Sequence, residues 1–356
     1  MPMLAELVDA VIGVDTHQDT HCASIVNAVG AELAVLTVPA SPSGHRRLLD
    51  WAIKHAPTDR IVWAIEGSRS YGTGLVRALQ SAGHRVVEAE RPQRNRRPHG
   101  KNDSIDARRA ATAALAREHH AAPRTDGPRE AARILLVTRD SAVKARTAAM
   151  NALKALVTTA SDSDRERLRR HTAPALIQAC LRLRPAAAGT VEDRVRRTAM
   201  QRLARRIREL TSEINDADAE LRALASTHLP QLLDQRGVGV VTATQAWISW
   251  SAPGRCRNEA AFAALAALSP LPASSGRTIR HRLNRGGDRA LNQALHHIVI
   301  TLERCDPATR DYVARRTTEG RTRKEIRRCL KRYLARKLYR LLENSPSQPP
   351  PRLDAT

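Results

Sequence analysis

The chain has 356 residues and a formal net charge of +23, split as +3 over residues 1–125 and +20 over the remainder. That length predicts two or three domains with ample core, and the uneven charge predicts a polyanion-binding body joined to a nearly neutral head. No stretch reaches the ~18 apolar residues of a membrane span, the acidic start does not read as a signal peptide, and five scattered cysteines exclude a zinc site and a disulfide framework; a cytoplasmic protein without membrane contact is expected.

Residues 10–90 read as an α/β domain. Val11–Asp15, Cys22–Val26 and Leu33–Val38 are short β-prone runs with tight connections, the pattern of a meander. A helix is expected from Ser43 to His55, a strand over Ile61–Ile65, a helix from Tyr71 to Ala82 stopping at Gly83, and a strand over Arg85–Ala89. Three strands followed by strand–helix units is the order of an RNase H-like fold. A basic loop follows, with Arg94, Arg96, Arg97 and Lys101 as candidate nucleic-acid contacts. A helix then runs from Ser104 to about Ala116.

Residues 128–160 and 191–227 are long, rich in Ala, Leu and Arg, and poor in breakers. Leu203, Ile207, Leu210, Ile214, Ala217 and Leu221 fall at helical spacings. The pair reads as a helical hairpin or coiled-coil spacer, with residues 161–190 as an irregular connection between them. From 228 to 345 a helical unit is expected. Gly237 and Gly239 sit between two helical stretches, as in a helix-hairpin-helix whose backbone N–H groups face a phosphate. A helix over Ala260–Leu268, a Pro-rich loop to Arg277, a basic turn-rich stretch to Arg289, and helices over 289–303 and 322–342 complete it. Residues 346–356 read as a disordered tail. The domains expected are therefore 1–125, 126–227, 228–345 and the tail.

The chemistry is concentrated in four carboxylates. Asp15 and Glu66 end apolar runs, where a carboxylate packs poorly but can hold a metal. Asp103 and Asp106, three apart at a helix start, share one face. Together they offer the hard oxygen ligands that Mg²⁺ prefers, and two such ions suit an in-line displacement at phosphorus. Helix capping is the bland account of Asp103 and Asp106. His17 and His21 alternate outward from the first strands; a place for His17 near the metals stays open, with a plain surface or packing histidine the favoured reading. Nine aromatic residues are too few for stacking platforms, so binding through phosphates and arginine is expected. Ten Lys/Arg between Arg321 and Arg340 point to nucleic-acid contact rather than a merely solvated face.

Read in order, these segments resemble the DEDD-type insertion-sequence transposases, relatives of the Piv invertases, some of which are bridge-RNA-guided recombinases. The motifs are Gly13 to His17, Glu66 to Gly72, Lys101 to Ala107, Gly237 to Ala243, Phe262 to Pro270, Ser274 to Arg277, and Arg285 to Arg289. The resemblance implies a RuvC-like N-terminal domain and a C-terminal helical transposase domain. It makes Asp15, Glu66, Asp103 and Asp106 the metal ligands and Ser275 the nucleophile, forming a serine–DNA link. Arg277, Arg280, Arg282 and Arg285 lie near that serine in sequence and suit a clamp on the scissile phosphate. The partners implied are donor and target DNA, a guide RNA in some members, and further copies of the chain as a dimer or tetramer. The family's hairpin carries proline where this chain has Arg236. Two other readings stay open from the residues: a RuvC-like hydrolytic nuclease or junction resolvase, and a non-catalytic nucleic-acid-binding protein.

Overall fold

In the computed structural model, residues 2–89, 103–124, 126–184, 190–272, 281–282, 284 and 286–344 are described. The chain divides into two compact units, residues 1–125 and 126–356. No helix among the described residues is long and apolar enough to cross a membrane.

The first unit is built on a mixed five-stranded sheet, as an RNase H-like domain requires. Its strands are β1 (Ala10–Thr16), β2 (Thr20–Asn27), β3 (Glu32–Pro39), β4 (Ile61–Ile65) and β5 (Val86–Glu88), in the order β3-β2-β1-β4-β5. β1 pairs antiparallel with β2 and parallel with β4, and β4 is parallel to β5. A central strand covered on both faces has every residue buried, and β1 does. Its side chains alternate between the faces. Ala10, Ile12 and Val14 pack with Leu48 and Ala52 of α2 (Pro42–His55) and Leu75 and Leu79 of α3 (Thr73–Ser81). Val11 points the other way, into a cluster with Leu4 of α1 (Leu4–Leu7) and Ala111, Ala114 and Leu115 of α4 (Asp103–Leu115).

The face that α4 covers decides the site. An ideal Cβ on Gly13 would lie 2.0 Å from the Ala107 carbonyl oxygen and 2.5 Å from the Ala111 nitrogen. Only hydrogen at this position lets the helix backbone press onto the strand, and the small buried face of Ala107, Ala110, Ala111 and Ala114 completes the approach. Two strand residues span about 6.7 Å and four helix residues about 6 Å, so the two elements keep step. Val11 meets the Ala111–Leu115 end, Gly13 meets Ala107 and Ala111, and Asp15 falls beside the first turn, which carries Asp103 and Asp106.

The second unit is helical. α5 (Pro128–Thr158) and α8 (Val191–His228) pack antiparallel: Leu153 and Val157 share a cluster with Met200 and Ala204, while Ala132 and Leu136 share another with Leu221 and Ala225. Residues 161–190, expected to be irregular, instead contain α6 (Asp162–Leu168) and α7 (Ala173–Leu181). Pro174 sits in the first turn of α7, where proline starts a helix rather than breaking one. Leu168, Leu176 and Cys180 are buried against the α5–α8 pair and repay the ordering.

The other end of that pair shares its core with α9 (Pro230–Leu233), α10 (Val240–Trp250), α11 (Glu259–Leu265), α12 (Arg289–Cys305) and α14 (Arg323–Glu343). Trp247, Trp250, Phe262, Leu295 and Leu338 lie at its centre. A short ladder joins β6 (Leu271–Pro272) and β7 (His281–Arg282). α13 (Pro307–Thr318) has few buried residues and so gives no periodic signal in the sequence. Its start is nonetheless marked: Asp306 accepts from the Thr309 backbone N–H at 2.9 Å, and Pro307 follows it. The expected tail, 346–356, lies outside the described residues.

Candidate active site

Asp15 is 7% exposed on β1, facing α4. Its Oδ2 lies 3.2 Å from His17 Nε2, and that nitrogen is 3.4 Å from Asp103 Oδ1. One potential ligand atom from each of Asp15, His17 and Asp103 falls within 4.8 Å of the others. Burial raises the Asp15 pKa above the usual carboxylate value; the Asp103 and Asp106 charges push it further, against the opposing pull of His17. Asp106 is also 7% exposed and has the Arg109 guanidinium 3.4 Å from Oδ1. A buried Asp15 whose pKa is raised by burial and by the Asp103 and Asp106 charges beside it is a poor core and a good cation site. Its oxygen donors, with one imidazole, fit a hard divalent ion.

Glu66 follows β4. Its N–H donates to the Val14 carbonyl at 2.9 Å, so the ladder runs one residue past the strand. Val14 pairs with Ile65 and both face α2 and α3, so alternation places Glu66 on the Asp15 face. The chain then turns sharply. Gly67 has φ of +69°, and its carbonyl accepts from the Ser70 and Gly72 N–H groups. Thr16 Oγ1 donates to the Glu66 carbonyl at 2.7 Å and ties the two strand ends together. Glu66 is not within the close grouping of Asp15, His17 and Asp103. His17, for which the sequence favours a surface or packing place over the alternative near the metals, sits inside it; its place two residues beyond Asp15, on the same face of an extended chain, is the signal for that alternative.

In the second unit, Gly237 has φ of +80°, and a Cβ there would meet Leu302 at 3.1 Å. Gly239 caps α10 and faces open space. Arg236 reaches Asp306 Oδ1 at 3.3 Å. Arg282 pairs in register with Leu271. Arg94, Arg96, Arg97, Lys101, Ser275, Arg277, Arg280 and Arg285 lie outside the described residues.

The two stems of the segment that carries Ser275 are described, and they are pinned together. Asp288 N–H donates to the Leu265 carbonyl at 2.7 Å, and Asn292 Nδ2 donates to the Ala266 carbonyl at 2.7 Å. Gly287 has φ of +89°, and a Cβ on it would lie 2.5 Å from the Leu265 oxygen. Asp288 also caps α12 through the Leu291 N–H and accepts from buried Ser249 Oγ at 2.6 Å. The Gly-Gly-Asp stretch is thus the neck of the loop. Asn292 and Ser249 were not singled out from sequence, since a single polar residue in a helix carries no such signal.

Comparison with known proteins shows the family. Residues 12–161 match a family model described as a DEDD transposase of IS110, and residues 230–314 match one described as the transposase IS116/IS110/IS902 family. An uncharacterized 42 kDa protein of insertion element IS900 from Mycobacterium paratuberculosis is 31% identical over 156 residues, covering 41% of this chain and 38% of that protein. An uncharacterized 43.6 kDa protein of insertion element IS110 from Streptomyces coelicolor is 30% identical over 130 residues, covering 36% of this chain and 32% of that protein. The aligned segments span about a third of each relative's length.

Proposed function

From the premise that the chain belongs to the IS110-type family of DEDD transposases, we propose that it mobilises an insertion sequence by breaking and rejoining DNA through a serine–DNA intermediate. The observation that carries the reading is the meeting of Asp15, His17 and Asp103 on one face of the sheet, with Asp106 one helical turn away. Asp15, Glu66, Asp103 and Asp106 are assigned as metal ligands. Two Mg²⁺ ions held there would supply Lewis-acid stabilisation of charge on phosphoryl oxygens.

Ser275 is assigned as the nucleophile. Its Oγ forms a bond to phosphorus as the bond from phosphorus to a deoxyribose oxygen breaks. The hydroxyl proton leaves to a base, and the departing sugar oxygen takes up a proton. One phosphodiester replaces another, so a DNA hydroxyl can reverse the step on a new strand without an external energy source. Arg277, Arg280, Arg282 and Arg285 are assigned to the scissile phosphate, and Arg94, Arg96, Arg97, Lys101 and the backbone at Gly237 and Gly239 to neighbouring phosphates. Donor and target DNA, a structured guide RNA, and a dimer or tetramer of the chain belong to the same reading.

The test is a denaturing gel of labelled target DNA with the full chain and Mg²⁺. Asp15→Asn should abolish cleavage while leaving DNA affinity near wild type. Ser275→Ala should form no denaturant-resistant adduct, whereas Ser274→Ala should keep one. Wild-type cleavage by Ser275→Ala would make water the nucleophile and the enzyme a hydrolytic, resolvase-like nuclease. Full activity of Asp15→Asn would overturn the metal assignment.

A further inference from the structure

A cavity of about 1170 Å³ opens between α12, α14 and the stems of the serine loop. Ala267 to Pro270 and Asn284 with Gly286 form one wall. Lys324, Arg328, Lys331 and Arg332 of α14 and Arg289 of α12 also line it. Lys324, Arg328 and Arg332 recur every fourth residue, one stripe about 6 Å apart per step.

Eight of the nine cations of α14, all but Lys337, fall into two sets. Arg323 and Arg327 bond to Glu303, and Arg336 and Arg340 to Glu259, so these four are held within the fold. Lys324, Arg328 and Arg332 make no ion pair among the described residues, and Lys331 has only a neutral partner: its Nζ donates to Asn292 Oδ1 at 2.9 Å. Burial, and then the neighbouring Arg328, push the Lys331 pKa down. A half-buried ammonium beside other cations is costly in the free protein, and an anion would recover that cost. The same Asn292 holds the loop neck through the Ala266 carbonyl, so Lys331 stands one hydrogen bond from the base of the serine loop.

We propose that this cleft is a phosphodiester-binding site that seats a nucleic-acid backbone against the stems of the serine loop. Lys324, Arg328 and Arg332 contact successive phosphates along the stripe, and Lys331 takes the innermost one. The assignment rests on the reading of the chain as a DNA-processing enzyme and adds to it the surface that delivers the strand. The volume exceeds the usual range for a small-molecule site, which favours an extended polyanion over a free metabolite.

The experiment measures anisotropy of a labelled DNA duplex, and of an RNA duplex of equal length, with the full chain over a range of salt. The triple variant Lys324→Ala, Arg328→Ala, Arg332→Ala should flatten the plot of log affinity against log salt by about two to three, with at least roughly tenfold weaker binding at physiological salt. The charge-matched control is Arg202→Ala, Arg205→Ala, Arg208→Ala on exposed positions of α8, and it should lose much less. Lys331→Met should weaken binding while leaving the melting temperature unchanged or higher, because it removes a desolvated charge. The probe that loses most identifies the strand as DNA or RNA. Equal losses in the two triple variants would reduce the cleft to general electrostatics and overturn the proposal. A Lys331→Met protein that melts lower with an unchanged salt slope would overturn the role of Lys331. Failure of the wild-type protein to bind either duplex would instead sink the functional reading itself.

Discussion

Gly13→Ala is a sharp test of how the carboxylates are brought together. In a strand, replacing glycine by alanine ordinarily stabilises by about 0.4–1 kcal/mol, through the unfolded chain. Here the new methyl would lie 2.0 Å from the Ala107 carbonyl oxygen, 2.5 Å from the Ala111 nitrogen and 2.9 Å from the Ala111 Cβ. The nearest two are backbone atoms of α4 and cannot rotate away. To regain ordinary contact, α4 must retreat from β1 by roughly 1.5 Å. Overpacking of this kind costs about 1–3 kcal/mol, and the rigidity of both elements argues for the upper part of that range. The sign of the stability change therefore reverses. Urea melts of the full chain, followed by hydrogen exchange in β1 and β4, should show a midpoint lower by on the order of 1 M. The same retreat carries Asp103 and Asp106 away from Asp15, and a displacement of about 1 Å at a reacting centre can cost 10²-fold in rate. Mn²⁺ titration should show weakened binding, with DNA affinity unchanged. A Gly13→Ala protein as stable as wild type, with the same Mn²⁺ affinity, would refute the argument that glycine sets the strand–helix distance.

Two further outcomes follow from buried polar groups. His21 and His45 are stacked at 5.5 Å, and neither ring nitrogen of His21 nor Nε2 of His45 has a hydrogen-bond partner; the Thr20 backbone offsets only part of this without reaching hydrogen-bond geometry. Burial first, and for His21 also the neighbouring imidazole, lowers both pKa values below 6.5. The fold requires the neutral rings, so this contribution to stability is complete above the ordinary histidine pKa and is lost as pH falls through the lowered values. Thermal melts of unit 1 from about pH 8 to pH 5 should decline, and His21→Phe should flatten the decline; an unchanged slope would contradict the assignment. The Glu303 side chain is 5% exposed and accepts from Arg327 at 2.7 and 2.8 Å and from the more exposed Arg323 at 3.0 Å. Arg327→Ala should cost about 2–3 kcal/mol in chemical denaturation because it strands a buried carboxylate. Arg323→Ala should cost about 0.5 kcal/mol or less; equal costs would show that burial does not distinguish the pair.

Much of the first unit is legible in sequence because its signals are local. Apolar runs of strand length, Gly83 ending a helix and carboxylates just after β-prone segments all act within a few residues. The helical spacing of Leu203 to Leu221 is equally local, as are the Asp306-Pro307 and Thr172-x-Pro174 helix starts. Over α6 and α7 polar composition and two prolines argue against helix, while what holds them is burial against α5 and α8; α13 buries too little to give a periodic signal. The cation run on α14 was legible as charge. Its division into arginines spent on Glu303 and Glu259 and cations left facing the cleft was not, because the partners lie 20 to 81 positions away in sequence. His17 shows the same limit: its pattern fits a surface residue, and only the packing of α4 onto β1 brings Asp103 to its ring.

By itself, then, the sequence determined the composition of the site: which carboxylates end strands, which share a helix face, and which half of the chain carries the positive charge. The tertiary structure decided which of those groups meet. Periodicity constrains direction within one element, whereas the distance between elements depends on steric contacts such as Gly13 against Ala107, Gly287 against Leu265 and Asn292 on the Ala266 carbonyl. Those contacts join residues far apart in the chain, and they exist only once the chain has folded.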